Sequence, residues 1–140
     1  MNDPGRTVRT FPGKAEVVGR MRAALRRELD GCPVADDVLL CASELAANAV
    51  LHSSTGKGGG KFTVRAEISP GQSVLIEVED EGGPWRGRSH ELSGGRGLGI
   101  VSALASAWGC RVGGHSRTVW AASTGPPHHY THLTWPLRLG

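Results

Sequence analysis

The chain has 140 residues, of which 39% are hydrophobic and 21% are charged, and its formal net charge is +3. This length predicts one domain with its own core and excludes a peptide or an array of repeats. No apolar run approaches the roughly 20 residues that a membrane helix needs. The N-terminus lacks the basic-then-apolar order of a signal peptide. We therefore expect a soluble, cytoplasmic protein without a membrane partner.

Cysteine, charge and glycine narrow the function classes further. The three cysteines lie far apart and form no C-x-x-C pair, which argues against a disulfide framework or a structural zinc site. The basic residues, 13 arginines and 3 lysines, are spread along the chain among few aromatics, so we expect no direct nucleic-acid partner. Glycine is the unusual residue, because its 21 copies are clustered.

The first third of the chain predicts a short strand and two helices. Residues 7–11 have an extended pattern. An amphipathic helix is predicted by apolar residues at every fourth position, namely Val17, Met21, Leu25 and Leu29. Pro33, which suits a first helical turn, opens a second helix that is apolar over most of its circumference and extends to about Leu51.

The remainder predicts two hairpins that flank a helix. Alternating apolar residues place the first hairpin at 62–68 and 74–79. The glycine-rich stretch 81–96 predicts a loop, and apolar residues at helical spacing predict a helix over 98–108. A second hairpin, with its later strand at 118–122, turns around two adjacent glycines.

This order of elements segregates helices from strands. It predicts a two-layer α/β sandwich in which helices cover one face of a mixed or antiparallel sheet. The sequence has no internal repeat and no candidate domain boundary, so we expect a single domain over 1–140. Its core is predicted at about 11–122, and the tail over 123–140 could add an edge segment at 133–139.

Three polar residues line up on one side of the second predicted helix. Glu44, Asn48 and His52 follow one another at intervals of four residues. A single asparagine there would most simply satisfy the backbone near the helix end. Three in register, with a carboxylate able to act as a base and an amide able to bind a metal, favour a functional site, although His52 by itself is more simply a helix-end residue.

Two glycine motifs follow this helix. Asp80 ends a predicted strand and begins a D-x-G motif, where Gly82 permits close approach of a ligand, although a simple strand-end turn has the same pattern. The G-x-G-x-G motif at 95–99 leads into a helix, whose N-terminal amides favour an anion. It is not a Walker A loop, because no Lys-Ser/Thr follows it.

Together these motifs resemble a known family. The order E-L-x-x-N-A-x-x-H at 44–52, D-x-G at 80–82 and G-x-G-x-G at 95–99 resembles the N, G1 and G2 boxes of the histidine-kinase-like (GHKL) ATPases. The similarity covers 11–122 and implies that family's two-layer α/β sandwich. Three segments, at 80–85, 95–101 and 117–120, look like those of the short stand-alone bacterial regulators related to anti-sigma-factor serine kinases.

The resemblance implies ATP and Mg²⁺ as cofactors and assigns roles to residues. Asn48 would hold Mg²⁺, and Glu44 would be the catalytic base that orients water or the substrate hydroxyl. Asp80 would accept a hydrogen bond from the exocyclic amine of adenine, with Thr118 assisting there. The other nucleotide-binding positions would be Gly82, Gly95, Arg96, Gly97, Leu98 and Gly99.

The implied function is that of an ATP-binding regulator with serine/threonine protein kinase activity. It would transfer the γ-phosphate to a serine of a small anti-anti-sigma-like protein and sequester a sigma factor, and a homodimer is compatible with this function. One alternative is a nucleotide-gated protein-binding module without significant catalysis, but the presence of both Glu44 and Asn48 favours the enzyme. Another is a metal or nucleic-acid binder that uses His128, His129 and His132.

Overall fold

The computed structural model describes residues 5–52, 59–69, 73–82 and 96–123. In these ranges the chain forms five strands and three helices. In chain order they are β1 (Arg6–Pro12), α1 (Val17–Glu28), α2 (Ala35–His52), β2 (Lys61–Ser69), β3 (Ser73–Asp80), α3 (Arg96–Leu104), β4 (Ala107–Val112) and β5 (Arg117–Ser123). None of the helices in these ranges is long and apolar enough to cross a membrane.

The five described strands form one sheet in the order β1-β2-β3-β5-β4, and every neighbouring pair is antiparallel. The two predicted hairpins, β2-β3 and β4-β5, are both present. The sequence predicted a mixed or an antiparallel sheet, and the described strands form an antiparallel one. Its central strand is β3, which lies between β2 and β5.

The helices cover one face of this sheet. α2 lies in the middle of the helical layer, since it packs on α1, on α3 and on β3. Alternate residues of β2, β3 and β5 enter a single core with the apolar residues of the helices, among them Met21, Leu39, Leu45, Val64, Ile76, Val78, Val101 and Val119. The fourfold spacing in α1 and the twofold spacing in β2 are therefore burial patterns, and the two-layer α/β sandwich is confirmed.

A smaller apolar cluster lies on the opposite face of the sheet. Leu75, Trp120 and Ala122 are buried there, and Ala107 packs against them. Gly109 pairs with Trp120 across the β4-β5 ladder. A Cβ atom added at Gly109 would lie 2.8 Å from Cζ2 of the Trp120 indole. The glycine is needed because the ring occupies the space of a side chain.

We expect Gly109→Ala to destabilise the fold by about 1–3 kcal/mol, the usual effect of forcing an extra methyl group into a packed site. Urea unfolding monitored by tryptophan fluorescence measures it. Gly19→Ala in α1 is the matched control, because its added Cβ would have no heavy atom within 4 Å and alanine favours a helix. Equal stability of Gly109→Ala and the wild type would show that the indole moves aside freely.

One predicted helix boundary is wrong. The apolar pattern predicts a helix over 98–108, whereas α3 begins at Arg96 and ends at Leu104, and Trp108 belongs to β4. The pattern misleads because Leu104 and Trp108 both pack against the same core, one from a helix and one from a strand. Most of the predicted loop at 81–96 and the proposed edge segment at 133–139 lie outside the described residues.

Candidate functional site

The three motif-bearing elements pack against one another. α2 carries the polar stripe, β3 ends at Asp80 and α3 starts within the glycine motif. α2 contacts both β3 and α3. One core residue from each element shares the same cluster, namely Ala49, Val78 and Val101. The fold therefore brings together the elements that carry the three boxes, which lie up to 55 residues apart in the chain.

Glu44 and Asn48 lie one turn apart at the edge of the core. Both are half-buried, while their neighbours Leu45 and Ala49 are 2% and 0% exposed. Glu44 and Asn48 therefore lie beside the buried apolar face of α2 and remain partly exposed. His52 is the last residue of the helix.

The thiol of Cys41 lies near this stripe and stays protonated. Burial, followed by the negative charges of Asp37 and Glu44, raises the pKa of Cys41 to about 11. A nucleophilic cysteine needs the opposite shift. Cys41 is therefore a core residue.

The carboxylate of Asp80 is held by hydrogen bonds from both sides. The N–H of Gly82 donates to Oδ1 over 2.7 Å. Nε and Nη2 of Arg117 both donate to Oδ2, over 2.9 and 2.6 Å. The side chains of Asp80 and Arg117 are each 1% exposed. An ionised carboxylate has about four acceptor positions, so these three bonds leave about one for a ligand.

The charge state of Asp80 depends on Arg117. Burial is the largest influence and raises the pKa of Asp80. The Arg117 guanidinium and the Gly82 hydrogen bond act against this rise, and the adjacent Glu79 adds to it. Arg117 is thus the group that most favours the ionised, accepting form of the carboxyl.

Gly82 shows why the D-x-G motif needs its glycine. Its φ angle of 63° is in the left-handed region, where other residues are strained. A Cβ atom there would also lie 3.4 Å from the carbonyl oxygen of His115. Gly82 therefore turns the chain so that its N–H reaches Asp80, and it fits against the turn between β4 and β5.

The structure reveals a partner of Asp80 that the motifs do not contain, next to Thr118 in the chain. Across the β3-β5 ladder Asp80 pairs with Arg117, and Glu79 pairs with Thr118. Because successive strand residues point to opposite faces, Thr118 lies on the face of the sheet that the helices do not cover, away from the side chain of Asp80. The partner of Asp80 is Arg117, and the role of Thr118 at the adenine stays a prediction.

A groove of about 570 Å³ on that face includes Thr118 in its lining. Its charged lining residues are Arg6, Arg65, Arg111, Glu67, Glu77 and Glu79. Some of them are paired, with Nη2 of Arg65 2.6 Å from Oε1 of Glu79. The three arginines and three glutamates that line the groove give it no net positive charge. The groove therefore does not favour the negatively charged phosphates of a nucleoside triphosphate.

The glycine motif forms the start of α3. Residues 96–99 are its first turn, and Gly95 lies outside the described residues. The first turn has no acidic side chain, and its amides lack acceptors within the helix. A Cβ atom at Gly99 would meet no heavy atom within 4 Å. This end of α3 therefore has the N–H donors for an anionic ligand.

Comparison with known proteins agrees with this arrangement. The histidine kinase-like ATPase domain model matches residues 11–122, and no curated protein matches the chain. The structure of the RsbU and RsbW domains of Rv1364c from Mycobacterium tuberculosis is similar, with 23% identity and a TM-score of 0.68 over 85% of this chain. The histidine kinase domain of a blue-light activated histidine kinase from Erythrobacter litoralis EL346 is 20% identical, with a TM-score of 0.50 over 81% of this chain.

Both structures belong to larger chains. The alignment spans 32% of the Rv1364c chain and 61% of the Erythrobacter chain. At these identities the likeness shows a shared fold, while the family match extends over most of the sequence. The chain therefore belongs to the histidine kinase-like ATPase domain family.

Proposed function

We propose that the protein is a cytoplasmic ATP-binding regulator that transfers the γ-phosphate of ATP to a serine of a small partner protein, in the manner of anti-sigma-factor kinases. The main support is the packing of α2, with Glu44 and Asn48, against both the strand that ends at Asp80 and the helix that starts in the glycine motif. Membership of the histidine kinase-like ATPase domain family supports ATP as the nucleotide that the protein binds. The catalytic domain comprises about 11–122 of a single domain over 1–140.

Asn48 is the proposed Mg²⁺ ligand. Its amide oxygen is a hard ligand, and its half-buried position on α2 leaves it able to reach a bound group. The described ranges contain no cluster of three or more His, Cys, Asp or Glu side chains able to hold a metal. In the usual arrangement for Mg²⁺ with a nucleotide, Asn48 would share the ion with phosphate oxygens and water. The bound ion would neutralise charge on the phosphates.

Glu44 is the proposed general base. Its carboxylate would take the proton of the serine hydroxyl as the serine oxygen bonds to the γ-phosphorus and the bond from that phosphorus to the bridging oxygen breaks. ADP would leave with the bridging oxygen. The interval of one turn places Glu44 on the same side of α2 as Asn48, so the base and the metal ligand can act on the same phosphoryl group.

The two ends of the nucleotide have separate sites in this proposal. Adenine would use the remaining acceptor position of Asp80, and because Asp80 is only 2% exposed, the end of β3 must open for the base to enter. The phosphates would lie on the first turn of α3. The residues assigned to nucleotide binding are Asn48, Asp80, Gly82, Gly95, Arg96, Gly97, Leu98 and Gly99.

We expect the protein to bind ATP more tightly than GTP by roughly 5–150-fold. The exocyclic amine of adenine donates to an acceptor at Asp80, whereas guanine presents a carbonyl oxygen, and an unpaired buried acceptor costs about 1–3 kcal/mol. Calorimetric titration of both nucleotides measures the ratio. Glu77→Gln is the control, because Glu77 lies on the other face of β3 from Asp80 and should leave the preference intact. Equal affinities would contradict the role of Asp80.

The kinase proposal is tested by incubating the protein with ATP labelled at the γ-phosphate and a lysate of the source cells. The expected result is phosphoserine on one small protein, and its absence with Glu44→Gln. Co-elution of a sigma factor only in the presence of nucleotide would support sequestration. ATP binding that changes partner association without any transfer would instead favour a nucleotide-gated binding module.

A further inference from the structure

We infer that Arg117 is a positioning residue that sets the base specificity of the adenine site, by fixing which oxygen of Asp80 faces the purine and by keeping that oxygen a hydrogen-bond acceptor. The inference rests on the proposed ATP binding and extends it to a residue that the N, G1 and G2 motifs do not contain.

The position of Arg117 follows from the sheet. Arg117 and Asp80 are paired residues of the β3-β5 ladder, at the end of one strand and the start of the other. Both side chains are 1% exposed, on the same face as Val78 and Val119 of the core. The pair therefore lies at the border between the apolar core and the end of the sheet, where neither side chain can turn away into water.

The hydrogen bonds divide the two oxygens of Asp80 between different roles. Arg117 donates both Nε and Nη2 to Oδ2, which uses the two lone pairs of that oxygen. A fork-shaped pair would instead place one donor on each oxygen. Oδ1 accepts one bond, from Gly82. The remaining lone pair therefore belongs to Oδ1, and its direction is fixed by two anchors on the carboxylate.

Arg117 also decides whether Asp80 accepts or donates. The groups that act on the pKa of Asp80 are Arg117 on β5, Glu79 on β3 and the N–H of Gly82. The charge of Asp80 in turn helps to raise the pKa of the Cys110 thiol on β4, and His115 lies in the turn that packs on Gly82. Burial raises the pKa of Asp80 and Arg117 opposes the rise. A protonated Asp80 would donate a hydrogen bond, and the matching purine would carry a 6-oxo group in place of the 6-amino group.

The experiment compares the affinities of ATP and inosine triphosphate, which differ at the purine 6-position, over a range from mildly acidic to mildly alkaline pH. The wild type should prefer ATP throughout this range. In Arg117→Met the ratio of ATP to inosine triphosphate affinity should fall by roughly tenfold or more, the scale of one buried hydrogen bond, and should fall further as the pH is lowered. Arg111→Met on β4 is the control for loss of an arginine and should keep the wild-type ratio.

A second variant keeps the inference falsifiable if Arg117→Met does not fold. Arg117→Lys retains the charge but cannot place two fixed N–H groups on one oxygen, so its ratio should fall while its pH profile stays like that of the wild type. An unchanged ratio and pH profile in a folded Arg117 variant would overturn the inference and leave Arg117 a purely structural residue. A wild type that binds neither nucleotide would overturn the proposed function itself, and the inference with it.

Discussion

Glu44→Gln should lower phosphoryl transfer by roughly 10²–10⁴-fold, the usual share of general acid–base catalysis, while the affinity for nucleotide stays near that of the wild type. The substitution keeps the shape of the side chain and removes its ability to take a proton. Because Glu44 is only half-buried on α2, the substitution should not perturb the core. Single-turnover transfer to the partner protein, together with calorimetric titration of the nucleotide, separates the two effects.

Asn48→Ala is the matched comparison, one turn away on the same helix. Removing a metal ligand should weaken Mg²⁺-dependent nucleotide binding and abolish transfer together. If Glu44→Gln instead loses affinity and transfer in the same proportion as Asn48→Ala, both residues serve binding and the general base lies elsewhere. If Glu44→Gln transfers as fast as the wild type, Glu44 is not the base.

Arg117→Met should destabilise the folded protein by about 3–5 kcal/mol at neutral pH, because it leaves a buried carboxylate without its cationic partner. Burial already raises the pKa of Asp80 and Arg117 opposes that rise, so the substitution raises the pKa further. A carboxyl whose pKa is higher in the folded state than in the unfolded state contributes most stability at low pH, and this contribution is lost as pH rises through the folded-state pKa.

The sign of the pH effect follows. The difference in stability between Arg117→Met and the wild type should be largest at neutral pH and should shrink as the pH falls and Asp80 becomes protonated in the variant. Urea unfolding at several pH values measures it. Arg65→Met is the control, because the pair between Arg65 and Glu79 is about one-third exposed and such pairs contribute only about 0–1 kcal/mol. An equally small, pH-independent loss in both variants would contradict the prediction.

The fold was predictable because burial follows the periods of the secondary structure. The fourfold spacing of Met21 and Leu25 in α1 and the alternation of Val64 and Ala66 in β2 both mark side chains that are at most 3% exposed. The end of α3 was not predictable in this way. Trp108 is apolar and packs on the same core from β4, so no change of hydrophobicity marks the transition from helix to strand.

The candidate site was predictable only in part, for a related reason. The motifs point to Asp80 and Gly82 because their role is local, a turn in which one residue bonds to the other. The contact between Asp80 and Arg117 spans 37 residues and depends on the register of two strands, which tertiary pairing sets. A shift of one residue changes the face of the sheet, so no motif shows that Arg117 faces Asp80.

The edge strand β1 affects whether the sheet can pair with a strand of another copy of the protein. In the described part of the chain β1 has a neighbour on one side only, β2. It exposes Arg6 and Arg9 and ends at Pro12, and Arg9 is also tied to Glu28 of α1 through an ion pair of 2.7 Å. Charged side chains and proline on an edge strand oppose the addition of a strand from another molecule. The β1 edge therefore opposes the pairing of a second copy strand to strand.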